Sequence, residues 1–237
     1  MKKHLAIITA RGGSKRIPRK NIKDFCGRPI IAYSIEAALN SNLFDEVMVS
    51  TEDKEIAEIS IKEGAKVPFM RSEETANDFA STADVVLEVL DNYKKLGREF
   101  DTCTYVHPTA PFITAERLRE GINLLEKPGI DYAFPVVAFS FPPQRALIIN
   151  GDKVSMINPE HRFTRSQDLP KWYHDCGQFG MCNVPAFLKS KALDDEFSTA
   201  PIIVPETEVQ DIDYPEDWEM AELKYIMLQK KKKAQQN

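Results

Sequence analysis

"HLAIITARGGSKRIPRKN", His4 to Asn21, joins two unlike segments end to end. From His4 to Ala10 the run is continuously apolar and stops at Arg-Gly-Gly, the pattern of a strand buried on both faces. From Ala10 to Asn21 the chain carries Arg11, Lys15, Arg16, Arg19 and Lys20 beside two adjacent glycines and a proline. The protein as a whole is acidic, with a formal net charge of -5 over 237 residues. Positive charge is therefore concentrated on one stretch of backbone that can turn tightly.

Working outward, short apolar segments alternate with helical ones. "PIIAYSIEAALNS", from Pro29, has helical spacing with proline at its first position. "DEVMVST" predicts a strand, "DKEIAEISIKEGA" a helix stopped by Gly64, and "AKVPF" a short strand. "STADVVLEVLDNYKKLG" predicts a helix opened by Ser81 or Thr82 and ended by Gly97, followed by the strand "DTCTYVH". "TAERLREGINLLEK" predicts a helix capped by Thr114, with Arg117 where a capping box would want Glu, and "DYAFPVVAF" predicts another strand. This βαβα order specifies an α/β protein with a doubly wound, mostly parallel sheet. Ligands of such sheets bind beyond the carboxyl ends of the strands, where the cationic turn falls.

From about Phe139 the alternation fails. "ALIINGDKVSMI" predicts a β-hairpin turning at Asn150-Gly151, and residues 139–172 read as a projection from a single domain spanning 1–237. A helical stretch follows Asn183, then the apolar "PIIVPE". "YPEDWEMAELKYIMLQKKKK" predicts a closing helix that begins at a proline and ends in a solvated lysine run, Lys230 to Lys233.

Composition narrows the classes. The chain is 43% hydrophobic and 28% charged, an ordinary globular balance, and its acidity argues against a nucleic-acid partner. The run Leu5 to Ala10 is shorter than a signal-peptide core, and no segment approaches the roughly 20 apolar residues of a membrane span. Cys26, Cys103, Cys176 and Cys182 form no C-x-x-C pair and read as reduced thiols of a cytoplasmic protein, without a zinc site.

The turn has the chemistry of a polyphosphate site. Gly12 and Gly13 expose backbone N–H groups, Arg11 and Lys15 add cations, and Ser14 adds a hydroxyl. Neither G-x-x-x-x-G-K-[ST] nor G-x-G-x-x-G is present, and a merely solvated loop is the alternative. A triphosphate usually needs a divalent cation. In "EVQDIDYPEDW", Asp211 and Asp213 are two apart, so on an extended segment both carboxylates point to one side and suit Mg2+. The alternative is a polar turn whose aspartates cap the last helix.

Together "ARGGSKRIPRKN", "PTAPF" (Pro108 to Phe112) and "DIDYPEDW" resemble the acylneuraminate, or CMP-sialic acid synthetase-like, cytidylyltransferases over nearly the whole chain. "TRSQDLPKWYHDCGQF", Thr164 to Phe179, resembles the pseudaminic acid branch of that family. The resemblance implies a Rossmann-like sheet of the nucleotide-diphospho-sugar transferase type. It implies a reaction of CTP with a nine-carbon acidic sugar, giving a CMP-sugar for surface or flagellin glycosylation and pyrophosphate. It assigns Arg11, Gly12, Gly13, Ser14, Lys15, Asn21, Arg71, Ser81 and Thr82 to the nucleotide, with Lys15, Arg11 and Asp213 in catalysis and Asp211 and Asp213 on Mg2+. Arg165, Gln167, Tyr173, His174 and Gln178 fall to the sugar. His107 stands where the sialic acid branch often has Gln, a departure that fits another sugar. The general base is left between Asp213, His174 and none. The family's projecting hairpin implies a homodimer, with Arg145 as the residue that would reach the neighbouring site. Outside the pseudaminic acid branch the alternatives are a synthetase for N-acetylneuraminate, legionaminate or Kdo, and a regulator that binds CTP or CMP without turnover.

Overall fold

A computed structural model describes residues 2–191 and 198–236. The first half carries β1 (His4–Thr9), the two-residue ladder of β2 (Asp24–Phe25) with β3 (Arg28–Pro29), α1 (Ile30–Ser41) and β4 (Glu46–Ser50). Then come α2 (Lys54–Lys62), α3 (Glu73–Ala76), α4 (Thr82–Lys95), β5 (Thr102–Val106), α5 (Ala115–Leu125) and β6 (Tyr132–Ala138). The second half carries the hairpin β7 (Leu147–Asn150) and β8 (Lys153–Met156), β9 (Tyr173–Asp175) and β10 (Phe179–Asn183). It closes with α6 (Val184–Ser190), β11 (Thr199–Ile203) and α7 (Pro215–Gln236).

The main sheet runs β11-β6-β10-β5-β1-β4, with β9 also paired to β6. β4, β1 and β5 are mutually parallel, and β11 is parallel to β6, whereas β10 is antiparallel to both β5 and β6. The expected mostly parallel sheet is present, with one antiparallel strand at its centre that the sequence pattern did not reveal. β10 is buried at four of its five positions, so it shows no alternation, and Gly180 interrupts it. A Cβ on Gly180 would stand 2.5 Å from the Tyr105 hydroxyl, which is why this position is bare. β9 and β10 are one antiparallel run broken at Cys176–Gln178.

Local chemistry explains most of the helix limits. Ser81 caps α4 in a full capping box with Asp84, and the Thr114 hydroxyl accepts from the Arg117 N–H at the start of α5. Pro29 sits one place before α1 and not at its first residue. "AKVPF" shrinks to a single bridge between Lys66 and Met48, because Pro68 has no N–H to extend a ladder. The β7–β8 turn is Gly151-Asp152, one position later than expected, since Asn150 pairs with Lys153 and Gly151 takes φ 60°.

Apolar side chains cover both sheet faces. Ile8, Val49, Met181 and Ile202 pack with Ile31, Ile35, Leu118 and Ile122 on one side. On the other, Leu5, Ile7 and Met48 pack with Val86, Val89, Tyr93 and Phe187. A third cluster positions the site: Ile17, Phe25, Ile30, Tyr33, Phe112, Ile212 and Trp218 are all buried together. It ties the turn after β1 to the segment before α7, with the Phe25 ring edge-on to Tyr33 and Trp218 at 5.5 and 5.6 Å. Trp218 is 3% exposed. Trp218→Ala is expected to cost about 3–5 kcal/mol of unfolding free energy, measured by urea denaturation; a loss below about 1 kcal/mol would show that this cluster does not hold the two segments.

Candidate active site

β1, β4 and β5 are parallel, so Ala10, Thr51 and His107 emerge at the same edge of the sheet. The turn after β1 is braced from within and from beside. The Asn21 side-chain amide donates to the Arg11 carbonyl at 2.8 Å, and Asn21 is buried. Gly12 donates its N–H to the Glu52 carboxylate at 2.6 Å. A Cβ on Gly12 would stand 2.6 Å from a carboxylate oxygen of Asp53, so glycine is required by the close approach of the β4–α2 connection. Asp53 in turn caps α2 through the Ile56 N–H and grips Arg19 with both oxygens. Arg19 is held in the left-handed region at φ 55°. The Arg19 guanidinium, by its hydrogen bond and charge, holds the Asp53 carboxyl down at about 2.

Beside this brace lies a cavity of about 410 Å³. Of the predicted residues, Arg11, Ser14, Lys15, Asn21, His107 and Asp213 line it. An adjoining cavity of about 220 Å³ is lined by Arg71, Ser81 and Thr82, and Arg11, Asp78 and His107 face both. Seven of the nine predicted nucleotide residues thus line a small compartment at the start of α4 or a larger one over the cationic turn, and Gly12 and Gly13 line neither. Arg71 is buried, with its guanidinium donating to the Ser50 hydroxyl and carbonyl at 3.0 and 2.6 Å. Burial lowers its pKa, against the pull of Glu52 and Glu88. Burial also lowers the His107 pKa, so its ring is neutral at neutral pH.

The carboxylates before α7 arrive from the far end of the chain. Asp213 pairs with Arg16 at 2.8 Å and lies 3.8 Å from Lys20. Lys20 donates to the Ile212 carbonyl at 2.6 Å, and burial lowers its pKa while Asp213 and then Asp211 raise it. Asp213 lines the cavity, whereas Asp211 is exposed and stands against Gly177 outside that lining. Two hard oxygen donors near a cationic turn have the chemistry Mg2+ takes, since that ion commonly binds one or two carboxylates and completes its shell with other oxygens and water. Among the described residues no group of three or more His, Cys, Asp or Glu side chains is placed to hold a metal without such help.

The predicted sugar residues are dispersed. Arg165 is exposed and paired with Asp168 at 2.7 Å, and Gln167 is exposed. Tyr173 is exposed on β9, and the His174 ring packs 4.7 Å from Phe139 with Nδ1 against the Asp175 carbonyl. Gln178 is buried; its amide donates to the Glu208 carbonyl and its own carbonyl accepts the His107 N–H at 2.8 Å. It fixes His107 through the backbone. Arg16, Lys20, Asp78 and Thr109 line the larger cavity without having been predicted. The first two stood in the charge cluster already; nothing in its own neighbourhood marked Asp78. A second cavity of about 410 Å³ lies between α1, α5 and α7, lined by charges of both signs.

A sheet whose strand ends carry a cation-rich glycine turn, with carboxylates opposite, is the arrangement of an α/β protein that takes an anionic ligand at its strand ends. The chain belongs to the cytidylyltransferase family: the family model described as "Cytidylyltransferase" matches residues 5–178. It is 40% identical over 224 residues to the pseudaminic acid cytidylyltransferase of Campylobacter jejuni, covering 94% of this chain and 96% of that protein. It is 32% identical to the CMP-N,N'-diacetyllegionaminic acid synthase of Legionella pneumophila, covering 92% and 94%. The solved CMP:2-keto-3-deoxy-manno-octonic acid synthetase complexed with CTP shares the fold, with a TM-score of 0.68, 18% identity and coverage of 96% and 99%. No helix among the described residues is long and apolar enough to cross a membrane.

The Asp53 brace has a pH signature. A carboxyl held low in the fold adds stability above its unfolded pKa of about 4 and loses that contribution as pH falls toward about 2. Asp53→Asn is therefore expected to lower the urea midpoint at pH 7, with the gap from the unaltered protein narrowing below pH 4. A gap independent of pH would exclude the ion pair as its source.

Proposed function

We propose that this cytidylyltransferase couples CTP to pseudaminic acid, giving CMP-pseudaminic acid and pyrophosphate. The observation that carries the reading is the near full-length match to the Campylobacter jejuni enzyme, joined to a cationic cavity at the strand ends where a triphosphate fits. The sugar's anomeric oxygen forms a bond to the α-phosphorus, the bond from that phosphorus to the bridging oxygen breaks, and pyrophosphate leaves. Catalysis of this kind rests on positioning and charge neutralisation.

In this reading the smaller cavity, with Arg71, Ser81 and Thr82, takes the nucleoside end. The Gly13 amide, Ser14, Lys15 and Arg11 hold the phosphates, while the Gly12 N–H stays on the Glu52 carboxylate and Asn21 keeps the turn closed around them. Lys15 and Arg11 offset charge that develops toward the pyrophosphate. Of the two base candidates, Asp213 lines the cavity but pairs there with Arg16, and His174 lies against Phe139 and the Asp175 carbonyl, so neither stands ready to take the hydroxyl proton as the chain is folded. Mg2+, held by Asp211 and Asp213 together with phosphate oxygens, would supply further neutralisation of the triphosphate and acidify the attacking hydroxyl. Neutral His107 offers a hydrogen bond to the sugar without adding charge.

The dispersed sugar residues fit a homodimer. Phe141, Leu147, Ile149, Phe163 and Trp172 are at least half exposed on the 139–172 projection, and exposed apolar side chains of this size favour burial against a partner. Burial of this face against a second copy is how Arg165, Gln167, Tyr173 and Arg145 would come near a sugar. The four cysteines are free thiols, as a reducing cytoplasm requires.

Pyrophosphate release with CTP and each of pseudaminate, N-acetylneuraminate, N,N'-diacetyllegionaminate and Kdo tests the function. Fastest release is expected with pseudaminate; a faster rate with another sugar would change the substrate, and CTP binding without release for any of them would indicate a regulator. Asp211→Asn is expected to raise the Mg2+ concentration that gives half the maximal rate. An unchanged requirement would remove Asp211 from the metal.

A further inference from the structure

Asp78 occupies the wall between the two cavities, and its carboxylate holds both cations of the turn that face a triphosphate. One oxygen accepts from Lys15 at 2.5 Å and the other from Arg11 at 2.8 Å, while Arg11 also donates to the Asn77 carbonyl at 3.2 Å. Hydrogen bonds from these two donors hold the carboxyl of Asp78 below the usual carboxylate range. The geometry is that of one anionic group placed where another is to bind.

The segment that carries Asp78 is fixed at both ends and open in the middle. On its α3 side, Glu88 holds the N–H and hydroxyl of Ser72 and the hydroxyl of Thr75. On its α4 side, Ser81 is locked in the capping box with Asp84. Between them the Asn77 side-chain oxygen accepts the N–H groups of Phe79 and Ala80, and the Phe79 side chain lies in solvent with the residue 96% exposed. Residues 77–79 are exposed; Asn77 is tied to the Glu74 carbonyl and to Arg11, and the Asp78 side chain itself is held inward by its ion pairs to Lys15 and Arg11.

We infer that Asp78 is an internal competitor of the triphosphate: it neutralises Lys15 and Arg11, gives way when phosphate oxygens take those donors, and retakes them as pyrophosphate leaves. The inference rests on the reading of the Arg11–Asn21 turn as the triphosphate site. Two anions cannot share the same short hydrogen bonds without strong mutual repulsion, so nucleotide affinity is the difference between the two sets of contacts. Asp78 thereby lowers affinity for phosphate at both ends of the reaction, weakening CTP binding and hastening departure of pyrophosphate. It is a positioning residue for the two cations and takes no part in bond making.

Calorimetric dissociation constants for CTP, pyrophosphate and cytidine, on the unaltered chain, Asp78→Asn and Asp78→Glu, test this. Asp78→Asn is expected to bind CTP and pyrophosphate roughly three- to tenfold more tightly, the loss of two exposed ion pairs that binding must break. Cytidine, with no phosphate, is expected to bind all three proteins equally, and Asp78→Glu to return CTP affinity toward that of the unaltered chain. Equal or weaker CTP binding by Asp78→Asn, or tightening that extends to cytidine, would overturn the role of Asp78 alone. Failure of the unaltered chain to bind either CTP or pyrophosphate would overturn the triphosphate site itself.

Discussion

The burial of Ile17, Ile212 and Trp218 in one cluster with Phe25 and Tyr33 is the constraint on which the site depends. It brings residues nearly two hundred positions apart into register, so that Lys20 reaches the Ile212 carbonyl and Arg16 reaches Asp213. The polar contacts between these segments are partly exposed, and exposed ion pairs contribute at most about 1 kcal/mol each. Apolar burial contributes more, at about 25 cal/mol for each square ångström removed from water. The aromatic cluster therefore sets the geometry, and the charges settle within it.

Given that frame, the five cations of the turn divide by what holds them. Arg19 is gripped by both oxygens of Asp53 and by Glu55, in a backbone conformation that few non-glycine residues adopt, and its work is to close the loop. Lys20 is partly buried and committed to the Ile212 carbonyl. Arg16 pairs with Asp213 across the cavity mouth. Arg11 and Lys15 share the single carboxylate of Asp78 through side chains that stay substantially exposed. An acidic protein can thus carry a cationic turn whose positive charge is balanced locally by the residues that shape it.

Much of this was legible from residues alone. The apolar run to Ala10 followed by Arg-Gly-Gly placed the turn at a strand end, and the alternation of elements through Ala138 gave the sheet and its mostly parallel order. Ser81 and Thr114 marked helix starts because their hydroxyls do there what capping chemistry asks. β10 carried no readable strand signal because Gly180 interrupts its short apolar run and Asn183 ends it, and its partners β5 and β6 are distant in sequence. Asp78 escaped because its meaning lies in Arg11 and Lys15, more than sixty positions away. The residues assigned to the sugar by resemblance, Arg165 and Gln167 above all, stand on a projection whose apolar faces are exposed in a single chain.

In the proposed function the turn from Arg11 to Asn21 cradles the triphosphate, with the segment around Asp213 closing over it. A crystal structure with CTP and Mg2+ tests it most directly. The account predicts the β- and γ-phosphates within hydrogen-bonding distance of Lys15 and Arg11, the cytosine near Arg71 and Ser81, and the metal beside Asp213. Nucleotide found instead in the cavity between α1, α5 and α7, or phosphates with no contact to Lys15 and Arg11, would contradict it.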